Sequence, residues 1–226
     1  MVSLYRAFPF WDSLSELQQS KVLDYTIIRE YEAGEYLEKQ PGLYVVNDGS
    51  IIVYSAHESG RRRVVFTVGW TQCMLLTPAF LADVSTTAAL ELYIREASEI
   101  CYIPYPSWNE LESELREANE FSMELLSRQM NAMLFSINMR MEKDISKRLA
   151  MVLLRLYERL SEGNTIRTSH EELAEIAGVA REVVTRNVAI LKEKGLVETG
   201  REKIRILHPE KMEEYAGVVG YNSTEG

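Results

Sequence analysis

Two cysteines and three histidines are all that this 226-residue chain offers for thiolate or imidazole chemistry. An ordinary iron–sulfur cluster takes four thiolates and a haem takes an axial ligand such as histidine. His57, in a loop-like stretch, is the one histidine in the first half of the chain, so neither cofactor is expected. Cys73 and Cys101 make no disulfide framework and no metal-ligand spacing. Among apolar neighbours they read as inert buried thiols, with a redox pair as the alternative if their strands lie side by side. No apolar stretch approaches the ~20 residues of a membrane span, and the start MVSLYRAFPFWDSL lacks a basic region leading into an apolar run. The expectation is a cytoplasmic protein with no membrane partner.

Positive charge is also scarce, with a net charge of −9. That is unfavourable for a nucleic-acid binder, because phosphate contacts dominate affinity. The deficit is uneven, however. Residues 1–142 hold 11 basic and 20 acidic side chains, whereas residues 143–208 hold 13 basic and 10 acidic. The later segment is a mildly basic module attached to an acidic body.

Within that module, residues 168–207 read as helix, tight turn, helix and β-hairpin. Ser169 with Glu172 forms a capping box. Leu173, Ile176 and Ala177 then make one apolar face, and Gly178 can take the positive φ of a turn. A second helix, 181–194, buries Val184, Val188 and Leu191 and leaves Arg181, Glu182, Thr185 and Arg186 on its outward side. Gly195 ends it, and Val197–Leu207 reads as two strands around Gly200. This layout places a second helix in the DNA major groove. There Arg can donate twice to guanine and Glu can accept from cytosine. The competing reading is a solvated helix face whose Arg and Glu pair with each other.

The segment resembles the DNA-binding domain of the Crp/Fnr family of bacterial transcription regulators. The resemblance rests on Glu171-Glu172-Leu173-Ala174, on Gly178-Val179-Ala180-Arg181-Glu182-Val183-Val184-Thr185-Arg186 and on Gly195-Leu196-Val197. It implies that Glu182 and Arg186 read the operator, with Ser169, Arg181 and Thr185 beside them. One departure is Ala180, where the family usually has Ser or Thr, so a helix cap worth about 1 kcal/mol is missing.

Upstream, Asp12 or Ser13 could cap a helix presenting Leu14, Leu17, Val22 and Leu23. From Arg29 to Ile103 short β runs alternate with Gly-containing turns, the pattern of a sandwich or small barrel. Ala33-Gly34-Glu35 and Leu43–Gly49 resemble the family's effector domain, a cyclic-nucleotide-binding-like double-stranded β-roll of the cupin-like jelly-roll type. Ser107 is a candidate cap for one long helix from Asn109 to about Arg140, which contains no Pro or Gly. Met123, Met130 and Ile137 recur at one heptad position, Leu126 and Met133 at the other, as in a coiled-coil seam between two copies. The alternative is packing on the chain's own barrel; the resemblance favours a homodimer. Glu142-Lys143-Asp144 reads as a hinge and 145–160 as a helix, and residues from Ala216 on as a frayed end.

Cyclic-nucleotide binders of the family use a Gly-Glu pair for the ribose and an Arg followed by Ser or Thr for the phosphate. Met74-Leu75 and Ser85-Thr86 stand at those positions here, so the resemblance implies an effector other than cyclic AMP. Arg61-Arg62-Arg63 could supply a cation, though such a run is ordinarily a solvated turn. Tyr44, Trp70, Thr71, Met74, Thr86 and Met130 are the candidate lining of a pocket for a small aromatic or apolar molecule, against their ordinary role as core.

The expected fold is therefore α+β in three parts: an effector β-roll (1–108), a dimerisation helix and hinge (109–142) and a winged helix-turn-helix (143–226). The expected function is a homodimeric regulator, gated by a small effector, on a palindromic double-stranded DNA operator. RNA polymerase joins the partners if it activates. The alternatives are an ungated or cysteine-redox regulator of the same fold, and a cupin-type barrel enzyme, which the scarcity of histidine disfavours. No catalytic or metal-ligating residue is assigned.

Overall fold

The structure, a computed structural model, describes residues 4–56, 62–82, 90–158 and 163–218. The chain divides into two compact units, residues 1–134 and 135–226, and the division falls inside a long helix.

The first unit opens with α1 (Leu4–Ala7), a 3₁₀ turn (Trp11–Ser13) and α2 (Glu16–Tyr25). The cap of α2 is Ser15, not Asp12 or Ser13. Its hydroxyl and the Gln18 side chain form a reciprocal capping box one turn later than expected. Of the four expected inward residues, Leu14 and Val22 are buried, while Leu17 and Leu23 face out.

Eight strands follow: β1 (Ile27–Tyr31), β2 (Tyr36–Leu37), β3 (Gly42–Asp48), β4 (Ile51–Ala56), β5 (Arg62–Val68), β6 (Cys73–Leu76), β7 (Leu90–Ile94) and β8 (Ser98–Pro104), with a short helix α3 (Pro78–Ala82) before β7. They form two antiparallel four-stranded sheets, β1-β8-β3-β6 and β2-β7-β4-β5. Period-2 alternation sends Tyr44 and Val46 of β3 into the core between the sheets, where they meet Ile51, Val53, Ile94 and Ile100. Leu43 and Val45 point the other way, into a second core with Phe8, Trp108 and Phe121. Both faces of β3 are covered, which is why it reads as a continuous apolar run rather than an alternating one. Gly49 makes the β3–β4 turn at φ 78, and a Cβ there would clash with the Ser98 hydroxyl.

The expected single long helix is two. Helix α4 (Tyr105–Glu114) starts before Ser107, with Pro106 in its first turn, so Ser107 is not its cap. Helix α5 (Arg116–Met141) follows after an extended residue, Leu115, at φ −125 and ψ 112. Neither Gly nor Pro breaks the helix; burial of Leu115 beside Leu111 and Ala118 does. Trp108 is fully buried, and its indole N–H donates to Ser122 at 2.8 Å, tying α4 to α5.

Val45 of β3 is the Cα partner of both Cys73 on β6 and Cys101 on β8. The two cysteines therefore lie two strands apart, roughly 9–10 Å between Cα atoms, beyond the ~7 Å limit for a disulfide. That removes the intramolecular redox pair. Burial pushes the Cys73 thiol up to about 12 and the Cys101 thiol to about 11. At pH 8 iodoacetamide should leave the buried Cys101 unlabelled in the native protein and alkylate it after denaturation; rapid native labelling of Cys101 would contradict this burial.

The second unit carries α6 (Ile145–Tyr157), whose amides Ser146 and Lys147 are capped by the Asp144 carboxylate. Then come β9 (Thr165–Arg167), α7 (His170–Ala177), α8 (Arg181–Glu193), β10 (Val197–Gly200), β11 (Lys203–Ile206) and α9 (Pro209–Ala216). The strands make one antiparallel sheet, β10-β11-β9. Leu149, Leu153, Leu173, Val184, Val188 and Leu191 form its core with Ile204 and Ile206 of the hairpin. Leu156 and Tyr157, at the end of α6, only flank that core, and Leu160 lies outside the described residues. Helix α9 was not anticipated. It buries Met212 and Ala216. No helix among the described residues is long and apolar enough to cross a membrane.

Candidate nucleic-acid interface and effector cavity

The turn between α7 and α8 is specified locally. The Ser169 hydroxyl accepts from Glu172 N–H at 3.1 Å, and the Glu172 carboxylate accepts from Ser169 N–H at 2.8 Å. At the far end Gly178 sits at φ 68. Val179 N–H reaches Ala174 C=O at 3.0 Å and Gly178 N–H reaches Glu175 C=O at 3.3 Å, a Schellman motif that stops α7 sharply. The chain then re-enters a helix after three residues, Gly178, Val179 and Ala180. Gly195 ends α8 in the same way.

Helix α8 buries Val184, Val188 and Leu191, so Arg181, Glu182, Thr185 and Arg186 stand together on its exposed side. Arg181 approaches Glu171 at 3.9 Å, with both side chains largely exposed, a pair worth little in water. Glu182 and Arg186 form no ion pair with each other among the described residues, which disposes of the self-paired helix face. Ser169 is half-buried and its oxygen is taken by the capping box. His170 holds its Nδ1 3.0 Å from the Thr185 hydroxyl, which in turn donates to Arg181 C=O at 3.1 Å. The side chain thus orients one of the four outward residues of α8.

Ala180 occupies the N-cap of α8 with extended backbone and no side-chain bond. Ala180→Ser should add the missing cap and stabilise this unit by about 1 kcal/mol. Thermal unfolding should show that as a midpoint rise of roughly 4–8 °C; an unchanged midpoint would contradict the assignment.

The wing places further cations that periodicity alone makes visible. Ile204 and Ile206 are buried, so Lys203 and Arg205 point outward, and Arg201 is exposed in the β10–β11 turn. That turn is made by Arg201 and Glu202, with Glu202 at φ 53, while Gly200 remains in the ladder opposite Lys203. These side chains suit sugar–phosphate contacts, which position a protein on DNA without reading sequence.

In the first unit a narrow cavity of about 10 Å³, room for about one water, lies between the sheets and α5. Its lining is apolar except for Lys39 and Gln129. Of the five expected pocket residues that are described, only Met74 lines it. Tyr44 is buried and bonds the Gln40 carbonyl at 2.8 Å. Trp70 is 55% exposed with Arg6 over its ring, and Thr71 shares its turn at φ 60. Met130 faces outward, while Met133, expected on the seam, lines the cavity. Ser85, Thr86, His57 and Arg61 lie outside the described residues, and Arg62 is paired with Glu91 at 2.8 Å. The exposed stripe of α5 comprises Met123, Leu126, Met130, Leu134, Ile137 and Met141. Among the described residues no cluster of three or more His, Cys, Asp or Glu could hold a metal.

The fold and this surface together define a DNA-binding transcription regulator, a winged helix-turn-helix with an N-terminal β-roll. Residues 147–215 match the model of the Crp-like helix-turn-helix domain. Over 212 residues the chain is 24% identical to the cyclic AMP receptor protein of Thermus thermophilus, covering 92% of this chain and 96% of that one. Among solved structures it is similar to CooA from Carboxydothermus hydrogenoformans (a double mutant; 18% identity, TM-score 0.75, 92% and 95% of the two chains). It is also similar to a Crp/Fnr-family regulator from Eubacterium rectale (23%, TM-score 0.63, 93% and 99%). The chain thus carries a Crp-like helix-turn-helix domain over residues 147–215.

Proposed function

We propose that the protein acts as a homodimer on a palindromic operator, with one α8 in each of two successive major grooves. The observation that carries this is the outward cluster Arg181, Glu182, Thr185 and Arg186 on a capped helix-turn-helix, with Glu182 and Arg186 unpaired. The exposed stripe of α5 supports the pairing. Met123, Met130 and Ile137 recur every seven residues, and Leu134 and Met141 supply the other heptad position. The division of labour follows the chain: 1–108 senses, 109–142 pairs and 143–226 binds DNA.

The effector is a small molecule with an apolar body and one polar or anionic group, and not cyclic AMP. Met74 and Leu76 of the cavity offer nothing to a ribose, and Lys39 already donates to Leu90 C=O at 2.8 Å. Ligand binding favours one of two arrangements of the paired helices and so sets the spacing of the recognition helices. A second reading, an ungated regulator, draws on the small size of the cavity. Native mass spectrometry of the full-length chain with a 30-bp duplex tests the assembly: two chains per duplex are expected, and one chain per duplex would reject it.

A further inference from the structure

Among the described residues β6 is the last strand of its sheet and is partnered only by β3, so none of them supplies a strand to its outer backbone groups. One residue of it is served from α5 instead. Leu75 N–H donates to Gln129 Oε1 at 2.8 Å, and Gln129 Nε2 donates to Leu75 C=O at 3.1 Å. The carboxamide presents an acceptor and a donor as a peptide group does, so Gln129 substitutes for one residue of a missing neighbour strand. Leu75 is 2% exposed. Water is a poor replacement there, and a buried backbone group without a partner is unfavourable.

The same side chain lines the cavity, beside Met74 of β6 and Met133 of α5. Its neighbour Met130 stands on the exposed stripe of α5. One helical step thus separates the residue that closes the sheet edge and the cavity from a residue that faces outward to a second copy. With room for about one water, the cavity accepts a larger molecule only if its walls move, and α5 and β6 are two of those walls.

We propose that Gln129 is the latch that couples effector occupancy to the paired helices. This rests on the gated-dimer reading above. A ligand that fills the cavity separates α5 from β6 and breaks both bonds to Leu75. The freed carboxamide takes the ligand's polar group, and the displaced helix resets Met130 and the seam. Latched and unlatched forms are then two states whose balance the ligand biases, and removing the latch biases them in the same direction. Gln129 is a positioning residue here, acting on DNA only through α5.

The test uses the full-length chain as wild type, Gln129→Ala and Gln129→Glu, with no effector added. Amide hydrogen exchange at Leu75 and affinity for a selected operator duplex are both measured. Gln129→Ala should speed Leu75 exchange at least tenfold and shift operator affinity at least fivefold while the dimer persists. Gln129→Glu can accept from Leu75 N–H but cannot donate to its carbonyl, so it should fall between wild type and Ala. It carries the same test if the Ala variant folds poorly. Faster exchange with operator affinity within twofold of wild type would mean a merely structural bond and would overturn the proposal, as would unchanged exchange. A wild-type chain that sediments as a monomer or shows no operator preference overturns the underlying reading instead, and that result is in hand before any variant is compared.

Discussion

Arg186→Ala removes operator selectivity while leaving a folded dimer that still binds DNA. Arg186 and Glu182 are exposed, one turn apart on α8, and unpaired with each other. A bidentate arginine–guanine contact discriminates by about 1–3 kcal/mol. Two copies on a palindrome give about 2–6 kcal/mol, roughly 30- to 10⁴-fold in preference over a duplex with the guanine replaced. The exposed wing cations Arg201, Lys203 and Arg205 are untouched, so non-specific affinity and its salt dependence should persist. The core of the module excludes Arg186, so stability should change by no more than about 0.5 kcal/mol. Competition between matched and guanine-substituted duplexes is the measurement. Retained discrimination would place base reading elsewhere on the module.

The second large effect is at the seam. Met130 is 58% and Ile137 52% exposed in the single chain. Burying a Met or Ile side chain fully is worth about 1.5–3 kcal/mol. The four half-exposed side chains of a two-fold seam therefore contribute roughly 3–6 kcal/mol, and an unpaired carboxylate in their place adds a desolvation penalty of several kcal/mol. Met130→Asp with Ile137→Asp should accordingly yield monomers at micromolar concentration. It should also weaken operator binding by about 10²–10⁴-fold, since linking two half-site contacts is worth that much. Sedimentation velocity decides the matter. A persistent dimer would move the interface off this stripe. Met133, partly buried against the cavity, is not part of the stripe, so Met133→Asp should act on the roll's stability rather than on pairing.

How far the sequence was legible follows from where the information is local. The capping box at Ser169, the αL glycine at Gly178 and the apolar face of α8 are each decided within a turn of the helix, and all were readable. The break at Leu115 was not, because helix propensity there is ordinary and only burial against Leu111 and Ala118 ends the helix. Helix α9 did carry a local signal, Pro209 at its start, Met212 and Ala216 four apart and Gly217 at its end. Its brevity and the polar sequence that follows concealed it. The cavity was the least legible part. Gln129 and Lys39, some 90 positions apart in the chain, line one cavity, and a glutamine on a helix face gives no hint that it will complete a sheet edge. Met133 against Leu134 on the seam turns on a single residue's rotation, finer than a heptad pattern resolves.

The most direct test of the central claim is selection of duplexes from a random-sequence pool by the purified full-length chain. Enrichment of a two-fold symmetric sequence, with half-sites about 10–10.5 bp apart and symmetry lost with Arg186→Ala, is the predicted result. Enrichment of a lone half-site, or of no sequence at all, would contradict a dimer reading DNA through α8.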